Sequence, residues 1–207
     1  MEHGVAGFAL AQNMVFAAHS ERKQLFIRVP AIEEAWVLRA LDTGCDGIVF
    51  PGVSGRKDVE KIIACTYFAP AGKRGFNPYI AAGGYAGTDS LYFKKENERI
   101  QLCVILEGTQ ALEHLEEIVG YEEIDIVYIG QYDLSVALGM PGNVSAPAVL
   151  EQMEKAAGAI VRAGKRAGCM VHSREEAKEA ARQGFSFLAY KTDSGILFQC
   201  VKEFVQG

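Results

Sequence analysis

The middle of the chain reads Leu102-Cys103-Val104-Ile105-Leu106-Glu107, a short apolar run that ends in a carboxylate. A second run of the same kind reads Ile126-Val127-Tyr128-Ile129-Gly130, and Asp133 lies three residues beyond it. Both runs are short, rich in β-branched residues and bounded by turn residues, which is typical of buried parallel strands. The two carboxylates therefore follow the carboxyl ends of two predicted strands.

The rest of the chain repeats this alternation of strand and helix. Four further strand-like runs lie at 25–29, 47–50, 168–171 and 185–190. Helical patterns lie between the strands, at 32–41, 58–67, 109–119, 148–163 and 175–183. Alternation on this scale predicts an α/β fold with a parallel sheet and right-handed crossovers. In an α/β barrel, carboxylates at the strand carboxyl ends converge on one mouth.

The placement of Glu107 and Asp133 allows two interpretations. Two hard oxygen ligands in one mouth suit a divalent ion such as magnesium or manganese. Alternatively, each carboxylate only stabilises the start of the following helix, where Asp and Glu are favoured. The spacing of these residues alone leaves both interpretations open.

Composition limits the classes of protein to consider. The length of 207 residues suits one domain or a small two-domain protein, and an apolar content of 49% supports a substantial core. The net charge of -5 argues against nucleic acid as the main partner. No apolar run approaches the roughly 20 residues that span a bilayer. The start, Met1-Glu2-His3-Gly4, has an acid where a secretory signal is basic, and the five cysteines are dispersed. We expect a single domain over 1–207, cytoplasmic, without membrane contact and with reduced thiols.

One long stretch, 69–98, is rich in glycine and proline and is predicted to be irregular. Loops of this length in a compact domain are usually functional or disordered. Five aromatic side chains favour a packed functional loop: Phe76, Tyr79, Tyr85, Tyr92 and Phe93.

Three stretches together resemble a known family: Gly72-Lys73-Arg74-Gly75-Phe76, Ile105-Leu106-Glu107-Gly108-Thr109 and Ile129-Gly130-Gln131-Tyr132-Asp133-Leu134-Ser135. They look like the metal-dependent class II pyruvate aldolases of the HpcH/HpaI aldolase and citrate lyase family, with 4-hydroxy-2-oxoheptanedioate aldolase as an example. Supporting matches are Ile27-Arg28-Val29-Pro30, Gly47-Ile48-Val49-Phe50-Pro51 and Tyr190-Lys191-Thr192-Asp193-Ser194. No single motif is specific, but the set occurs in the right order along nearly the whole chain.

The resemblance implies a fold and a set of site residues. The fold is a TIM-type (β/α) barrel of the phosphoenolpyruvate/pyruvate-binding type. Glu107 and Asp133 match the metal ligands, for Mg, Mn or Co. Arg74 matches the arginine that contacts the pyruvyl oxygen, and His3 matches a histidine that takes part in proton transfer. The backbone near Tyr132 and Asp133 matches the stretch that receives the pyruvate carboxylate. The implied reaction is reversible cleavage of a small-molecule 4-hydroxy-2-oxo acid to pyruvate and an aldehyde.

The chain departs from the family pattern in several places. It begins inside the Glu-His-Gly element, so the first strand, a helix and most of the second strand are expected to be missing from the barrel. Six strands are predicted where a closed barrel has eight. Ile105 and Gln131-Tyr132 replace residues that are usual in the family.

An opened sheet exposes unpaired backbone groups and apolar interior. We therefore expect a homo-oligomer, with either a neighbouring copy or the segment Val5–Ala18 covering the gap. That segment is predicted to be helical, with Phe8, Leu10, Met14, Val15 and Phe16 as packing residues. The last helix, 196–205, is a further candidate for packing on a neighbour, as the resemblance implies.

Other functions remain open from the sequence. One is a CoA-ester lyase of the citrate lyase β or malyl-CoA type, which needs a site for the CoA nucleotide. Another is a catalytically silent family member that acts as a binding or structural subunit. Lys191, after the last strand, is the one candidate for a Schiff-base route. His172, after the strand that ends at Val171, is a candidate contact to the substrate or to a site residue.

Overall fold

A computed structural model describes residues 1–85 and 91–206, and in it six parallel strands form one sheet. Every strand pairs with the next along the chain, in the order β1-β2-β3-β4-β5-β6. All six predicted strands are confirmed, and no end is shifted by more than two residues. The strands are β1 (Phe26–Arg28), β2 (Gly47–Phe50), β3 (Gln101–Leu106), β4 (Ile126–Ile129), β5 (Arg166–Val171) and β6 (Phe185–Tyr190).

Helices precede β1, connect the strands and follow β6. The helices are α1 (Phe8–Ser20), α2 (Glu34–Asp42), α3 (Arg56–Thr66), α4 (Tyr92–Arg99), α5 (Thr109–Glu113), α6 (Leu115–Val119), α7 (Gln131–Ala137), α8 (Pro147–Arg162), α9 (Arg174–Arg182) and α10 (Asp193–Gln206). The predicted helix over 109–119 is divided at His114, which leaves the helical conformation at φ −95° and ψ 9°. The helix α7, which begins just after β4, was not predicted.

The prediction of an irregular stretch over 69–98 is wrong at its carboxyl end. The helix α4 occupies Tyr92–Arg99, where the glycines and prolines have ended and helix-forming Lys, Glu and Arg residues follow. A short 3-10 helix also lies at Ala81–Gly83, and residues 86–90 lie outside the described part. The expected aromatic packing is confirmed in part, because Phe76, Tyr92 and Phe93 cluster with Phe68 at centroid distances of 4.8–6.1 Å. Tyr79 and Tyr85 remain exposed.

The sheet is strongly curled, as its first and last strands show. In a flat sheet β1 and β6 would be about 24 Å apart, at roughly 4.8 Å for each step between strands. The rings of Phe26 on β1 and Phe187 on β6 nevertheless meet, with centroids 5.4 Å apart. Tyr128 on β4 also contacts Phe187, at 6.5 Å. The side chains inside the curl therefore pack against one another as in the interior of a barrel. The predicted α/β, barrel-like architecture is therefore confirmed as a curled sheet of six parallel strands with helices.

The amino-terminal segment forms the predicted helix, which packs against α2. The ring of Phe8 lies 5.6 Å from that of Trp36, and the guanidinium of Arg39 lies 4.2 Å from the centroid of Phe8. Of the five expected packing residues, only Val15 is buried and Phe8 partly buried. Leu10, Met14 and Phe16 are exposed, so their predicted packing is wrong in this chain. No helix in the described part is long and apolar enough to cross a membrane.

Candidate active site

Glu107 lies at the centre of the polar groups that collect at the carboxyl ends of the strands. It follows the last residue of β3 and precedes α5. Its Oε1 accepts a hydrogen bond from Nη2 of Arg28, at 3.1 Å, and Arg28 is the last residue of β1. Its Oε2 accepts one from the backbone N–H of Gly52, just after β2, at 2.9 Å. The carboxylate therefore joins the carboxyl ends of three successive strands.

Two glycines make this position of Glu107 possible. Gly52 has φ +64°, in the left-handed region that favours glycine, and in this conformation its N–H points at the carboxylate. Gly130, just after β4, approaches the side chain closely. A Cβ at Gly130 would lie 3.1 Å from Cγ of Glu107, which is tighter than ordinary van der Waals contact. The side chain of Glu107 is thus hydrogen-bonded to Gly52 on one side, and on the other it packs against the backbone of Gly130, which has no side chain.

Asp133 lies in the first turn of α7, which follows β4. Burial raises the pKa of the Glu107 carboxyl, and the positive charge of Arg28 opposes this effect. The negative charge of Asp133 raises the same pKa further, so the two carboxylates are near enough to interact. The two acids predicted from the sequence are therefore brought to the same end of the sheet. The side chain of Glu107 remains 25% exposed, so a ligand can reach it.

Arg28 links Glu107 to the start of the chain. Its guanidinium forms a second ion pair, through Nε, with Glu2. His3 is next to Glu2, with Nε2 3.5 Å from Oε1, and its side chain is 76% exposed. The backbone is also tied down here, because the amino group of Met1 donates to the carbonyl of Arg28 at 2.9 Å. The predicted His3 is thus connected to Glu107 through two intervening charged residues and is free to turn towards a ligand.

Arg74 is not part of this group, which corrects its predicted placement. Its side chain is 1% exposed and lies 3.7 Å from Asp42 and 3.5 Å from Glu96, while its guanidinium stacks on the ring of Phe68 at 4.4 Å. Asp42 ends α2 just before β2, and Glu96 lies in the helix before β3. Both acids belong to segments that enter the amino ends of the strands. Arg74 therefore lies at the opposite end of the sheet from Glu107 and ties the glycine-rich loop to two helices.

Tyr132 and His172 meet at the carboxyl ends of β4 and β5. The Oη of Tyr132 lies 3.1 Å from Nε2 of His172. Nδ1 of the same ring lies 3.2 Å from Oε2 of Glu176, on α9. The other candidate, Lys191, follows β6 with φ +49°, and its Nζ lies 5.5 Å from the centroid of Tyr190.

The residues present suit a divalent ion by the type of their donors. In the described ranges, no three side chains of His, Cys, Asp or Glu come together as a metal-binding group. Glu107 and Asp133 remain as a pair of hard oxygen donors, which is the type that magnesium and manganese prefer. An ion held by two carboxylates keeps most of its coordination positions open for substrate and water.

Sequence reasoning missed two contacts of Glu107, with Arg28 and Gly52, and the ion pair of Arg28 with Glu2. For Arg28 a signal was present. It is a charged residue at the carboxyl end of the apolar run Leu25–Val29, the position where barrel side chains reach the mouth. For Gly52, the signal is a Pro-Gly pair, Pro51-Gly52, after the strand at 47–50. Glu2 belongs to the Glu-His-Gly element of the family resemblance, but its contact with Arg28 depends on the path of the chain before α1.

Comparisons with known proteins point to one family. Residues 1–199 match the profile of the HpcH/HpaI aldolase/citrate lyase family. The chain is 29% identical, over 170 residues, to a 5-keto-4-deoxy-D-glucarate aldolase of Shigella boydii. That match covers 82% of this chain and 66% of the relative, so the chain spans somewhat less than two thirds of the relative's length.

Solved structures give the same result for the fold. An HpcH/HpaI aldolase from Desulfitobacterium hafniense superposes with a TM-score of 0.93 at 25% identity, covering 99% of this chain and 80% of that one. A family protein from Burkholderia cenocepacia gives 0.91 at 24% identity, covering 100% and 82%. The ordered motifs, the curled parallel sheet and the family match lead to one conclusion: this chain belongs to the HpcH/HpaI aldolase/citrate lyase family.

Proposed function

We propose that this protein is a divalent-metal-dependent aldolase that reversibly cleaves a 4-hydroxy-2-oxo acid to pyruvate and an aldehyde. The observation that carries the proposal is the group formed by Arg28, Glu107 and Asp133 at the carboxyl ends of the strands. It combines a fixed cation with two hard oxygen donors, and the metal-dependent cleavage uses both. The family name and the naming of the relatives as aldolases support the same activity.

Arg28 is proposed to stabilise the negative charge that develops during cleavage. Breaking the bond between carbons 3 and 4 leaves its electron pair on the pyruvate half, as an enolate with charge on the 2-oxygen. The guanidinium is always protonated and is held from two sides by Glu2 and Glu107. A donor fixed in advance in this way does not have to reorganise as the charge appears. Arg28 thus takes the role that the sequence assigned to Arg74.

Glu107 and Asp133 are proposed to hold the divalent ion, which in the family resemblance is Mg, Mn or Co. When bound, such an ion supplies further electrostatic stabilisation of the enolate charge. The backbone N–H groups of Tyr132 and Asp133 lie in the first turn of α7, where N–H groups have no acceptor within the helix. These two N–H groups are proposed to bind the carboxylate of the 2-oxo acid. The substrate carboxylate then lies next to Asp133.

Proton transfer is proposed for His3. A base must take the proton of the 4-hydroxyl as the carbon–carbon bond breaks and the aldehyde carbonyl forms. Carbon 3 of the enolate then receives a proton, which gives pyruvate. The exposed ring of His3 is adjacent to Glu2 and can reach outward from the group around Arg28. The relatives act on 5-keto-4-deoxy-D-glucarate by their name, and this compound is included among the proposed substrates.

The test is retro-aldol cleavage by the purified full chain, with pyruvate measured by a coupled reaction. The substrates are a panel of 4-hydroxy-2-oxo acids and 5-keto-4-deoxy-D-glucarate, each with added Mn²⁺ and after treatment with EDTA. We expect pyruvate release that depends on metal and is lost with EDTA.

Other outcomes identify the competing functions. Activity that resists EDTA and is trapped by borohydride at Lys191 contradicts the metal route and supports a Schiff base. Turnover of CoA thioesters alone supports the CoA-ester lyase. The absence of turnover with all substrates, together with intact metal binding, supports a silent binding subunit.

A further inference from the structure

A chain of hydrogen bonds at the carboxyl end of the sheet connects three residues to which the proposed reaction assigns no side-chain role. Tyr132 is the second residue of α7, and His172 directly follows β5. Their rings meet edge to face, with centroids 6.3 Å apart, and Oη of Tyr132 lies 3.1 Å from Nε2 of His172. The contact therefore joins the exits of two neighbouring strands, immediately beside Asp133.

Glu176 determines which nitrogen of His172 carries the ring proton. Its Oε2 lies 3.2 Å from Nδ1 and also accepts the backbone N–H of His172 at 2.7 Å. Glu176 is itself anchored in the first turn of α9, where its N–H donates to Oγ of Ser173 at 3.0 Å. A carboxylate only accepts hydrogen bonds, so Nδ1 is the donor to it. In the neutral ring, which carries a single proton, that proton is then on Nδ1 and Nε2 is left as an acceptor.

The direction of the next hydrogen bond follows from this arrangement. Nε2 of His172 accepts, so the hydroxyl of Tyr132 donates its single proton to it. The phenol oxygen then has no proton to offer to a ligand but retains its capacity to accept. Tyr132 as a whole residue is 45% exposed, so a ligand can approach its ring at this end of the sheet. Its chemistry is that of a fixed hydrogen-bond acceptor, matched by an O–H donor on the ligand.

We infer that Tyr132 is a specificity-determining residue, whose oxygen accepts a hydrogen bond from a hydroxyl group on the aldehyde half of the substrate. His172 and Glu176 are positioning residues that hold the phenol in the accepting orientation. The inference rests on the proposed function, because it names the part of the substrate that this oxygen recognises. The preferred substrates are accordingly 4-hydroxy-2-oxo acids with a further hydroxyl beyond the cleaved bond.

The experiment compares two substrates that differ in one hydroxyl group. They are 4,5-dihydroxy-2-oxopentanoate, which yields glycolaldehyde, and 4-hydroxy-2-oxopentanoate, which yields acetaldehyde. We expect the full chain to favour the first in kcat/KM by about three- to tenfold, the size of one net hydrogen bond. Tyr132→Phe removes the oxygen and is expected to bring the ratio close to one. The matched control is Tyr79→Phe, which removes a hydroxyl from an exposed tyrosine in the loop before α4 and is expected to keep the ratio.

A second readout follows the positioning residues. In nitrogen-15 spectra of histidine-labelled protein, His172 is expected as the tautomer with the proton on Nδ1. Glu176→Gln offers the ring both a donor and an acceptor, so the tautomer is expected to become mixed and the substrate ratio to fall part of the way. A purely structural role for Glu176 would leave both the tautomer and the ratio unchanged.

Binding of both compounds in the presence of Mn²⁺, measured by calorimetry, separates this inference from the proposed function. A binding preference that Tyr132→Phe abolishes, without any cleavage, supports the recognition and overturns the aldolase activity. Cleavage of both substrates with a ratio that Tyr132→Phe does not change supports the activity and overturns the recognition. If the full chain neither binds nor cleaves either compound, both are overturned.

Discussion

Nη2 of Arg28 lies 3.1 Å from Oε1 of Glu107, although the two residues leave strands that are not neighbours in the sheet. The strand between them is β2, and the loop that follows it contributes the N–H of Gly52 to the other oxygen of the same carboxylate. The curl of the sheet brings the ends of β1 and β3 close enough for one ion pair to span them. This pair places a cation beside a carboxylate at the carboxyl ends of the strands. Four of the following predictions test which residues belong to this group and which do not.

Removing either predicted metal ligand is expected to weaken metal binding. Glu107→Gln and Asp133→Asn each replace a charged oxygen donor by a neutral amide, and a divalent ion prefers the carboxylate. We expect the affinity for Mn²⁺, measured by titration with electron paramagnetic resonance, to fall at least tenfold in each variant. Glu116→Gln, an exposed acid on α6, removes the same charge away from the mouth and is expected to bind normally. Unchanged binding in both site variants would reject the site.

Arg28→Lys is expected to reduce kcat by about 100-fold, the usual effect of losing one fixed donor to a developing oxyanion. Lysine keeps the charge but cannot bond Glu2 and Glu107 at once with a planar guanidinium. The measurement is retro-aldol rate with saturating Mn²⁺, with circular dichroism as the check on folding. A rate close to that of the unaltered chain would show that Arg28 only balances charge.

Arg74→Met is expected to reduce stability. The variant removes the buried partner of Asp42, whereas Glu96 keeps its ion pair with Arg99. A broken buried ion pair typically costs about 3–5 kcal/mol, and the partial exposure of Asp42 places the expected cost below that range. We expect a lower free energy of unfolding in urea while Mn²⁺ affinity is retained, because Arg74 lies at the other end of the sheet. Loss of metal binding by a folded Arg74→Met protein would contradict this placement.

Gly130→Ala is expected to displace Glu107. The new methyl group would lie 3.1 Å from Cγ of that side chain, and relief of this contact has to move the carboxylate. Groups that orient a metal ligand typically affect affinity by about 10- to 100-fold, so we expect a loss of Mn²⁺ affinity in that range. Gly108→Ala is the matched control, because a Cβ there meets nothing within 4 Å although the residue adjoins Glu107. Equal affinities in the two variants would exclude a role for the close approach.

The last helix is expected to pack on another copy of this chain. No residue of α10 is buried, and Leu197, Phe198, Phe204 and Val205 are each more than 60% exposed. Covering these side chains in an oligomer removes apolar surface from water. Light scattering on a sizing column should give a mass above that of one chain, and Phe204→Glu should lower it. Gln206→Glu adds the same charge on the same helix as a control. A monomer with α10 folded would contradict the expectation of a homo-oligomer.

The sequence by itself determined the order of strands and helices and the two acids at the strand ends. These features depend on local patterns: apolar runs of four to six residues, a helical period between them, and turn residues at the boundaries. Glu107 and Asp133 each follow a strand, so their position at the carboxyl end follows from the alternation alone. Local patterns did not predict α4, because the glycines and prolines before it made the whole stretch 69–98 look irregular.

Only the tertiary structure decided which arginine joins the acids. Arg28 and Glu107 are 79 residues apart, and their contact depends on how strongly the sheet curls, which no local pattern encodes. Arg74 carries the same charge and also lies in a stretch that resembles the family. Its loop, however, folds back onto the helices at the amino ends of the strands, where Asp42 and Glu96 pair with it. The bond between Tyr132 and His172, over 40 residues, likewise exists because β4 and β5 are neighbours, so that side chains leaving adjacent strand ends meet in space.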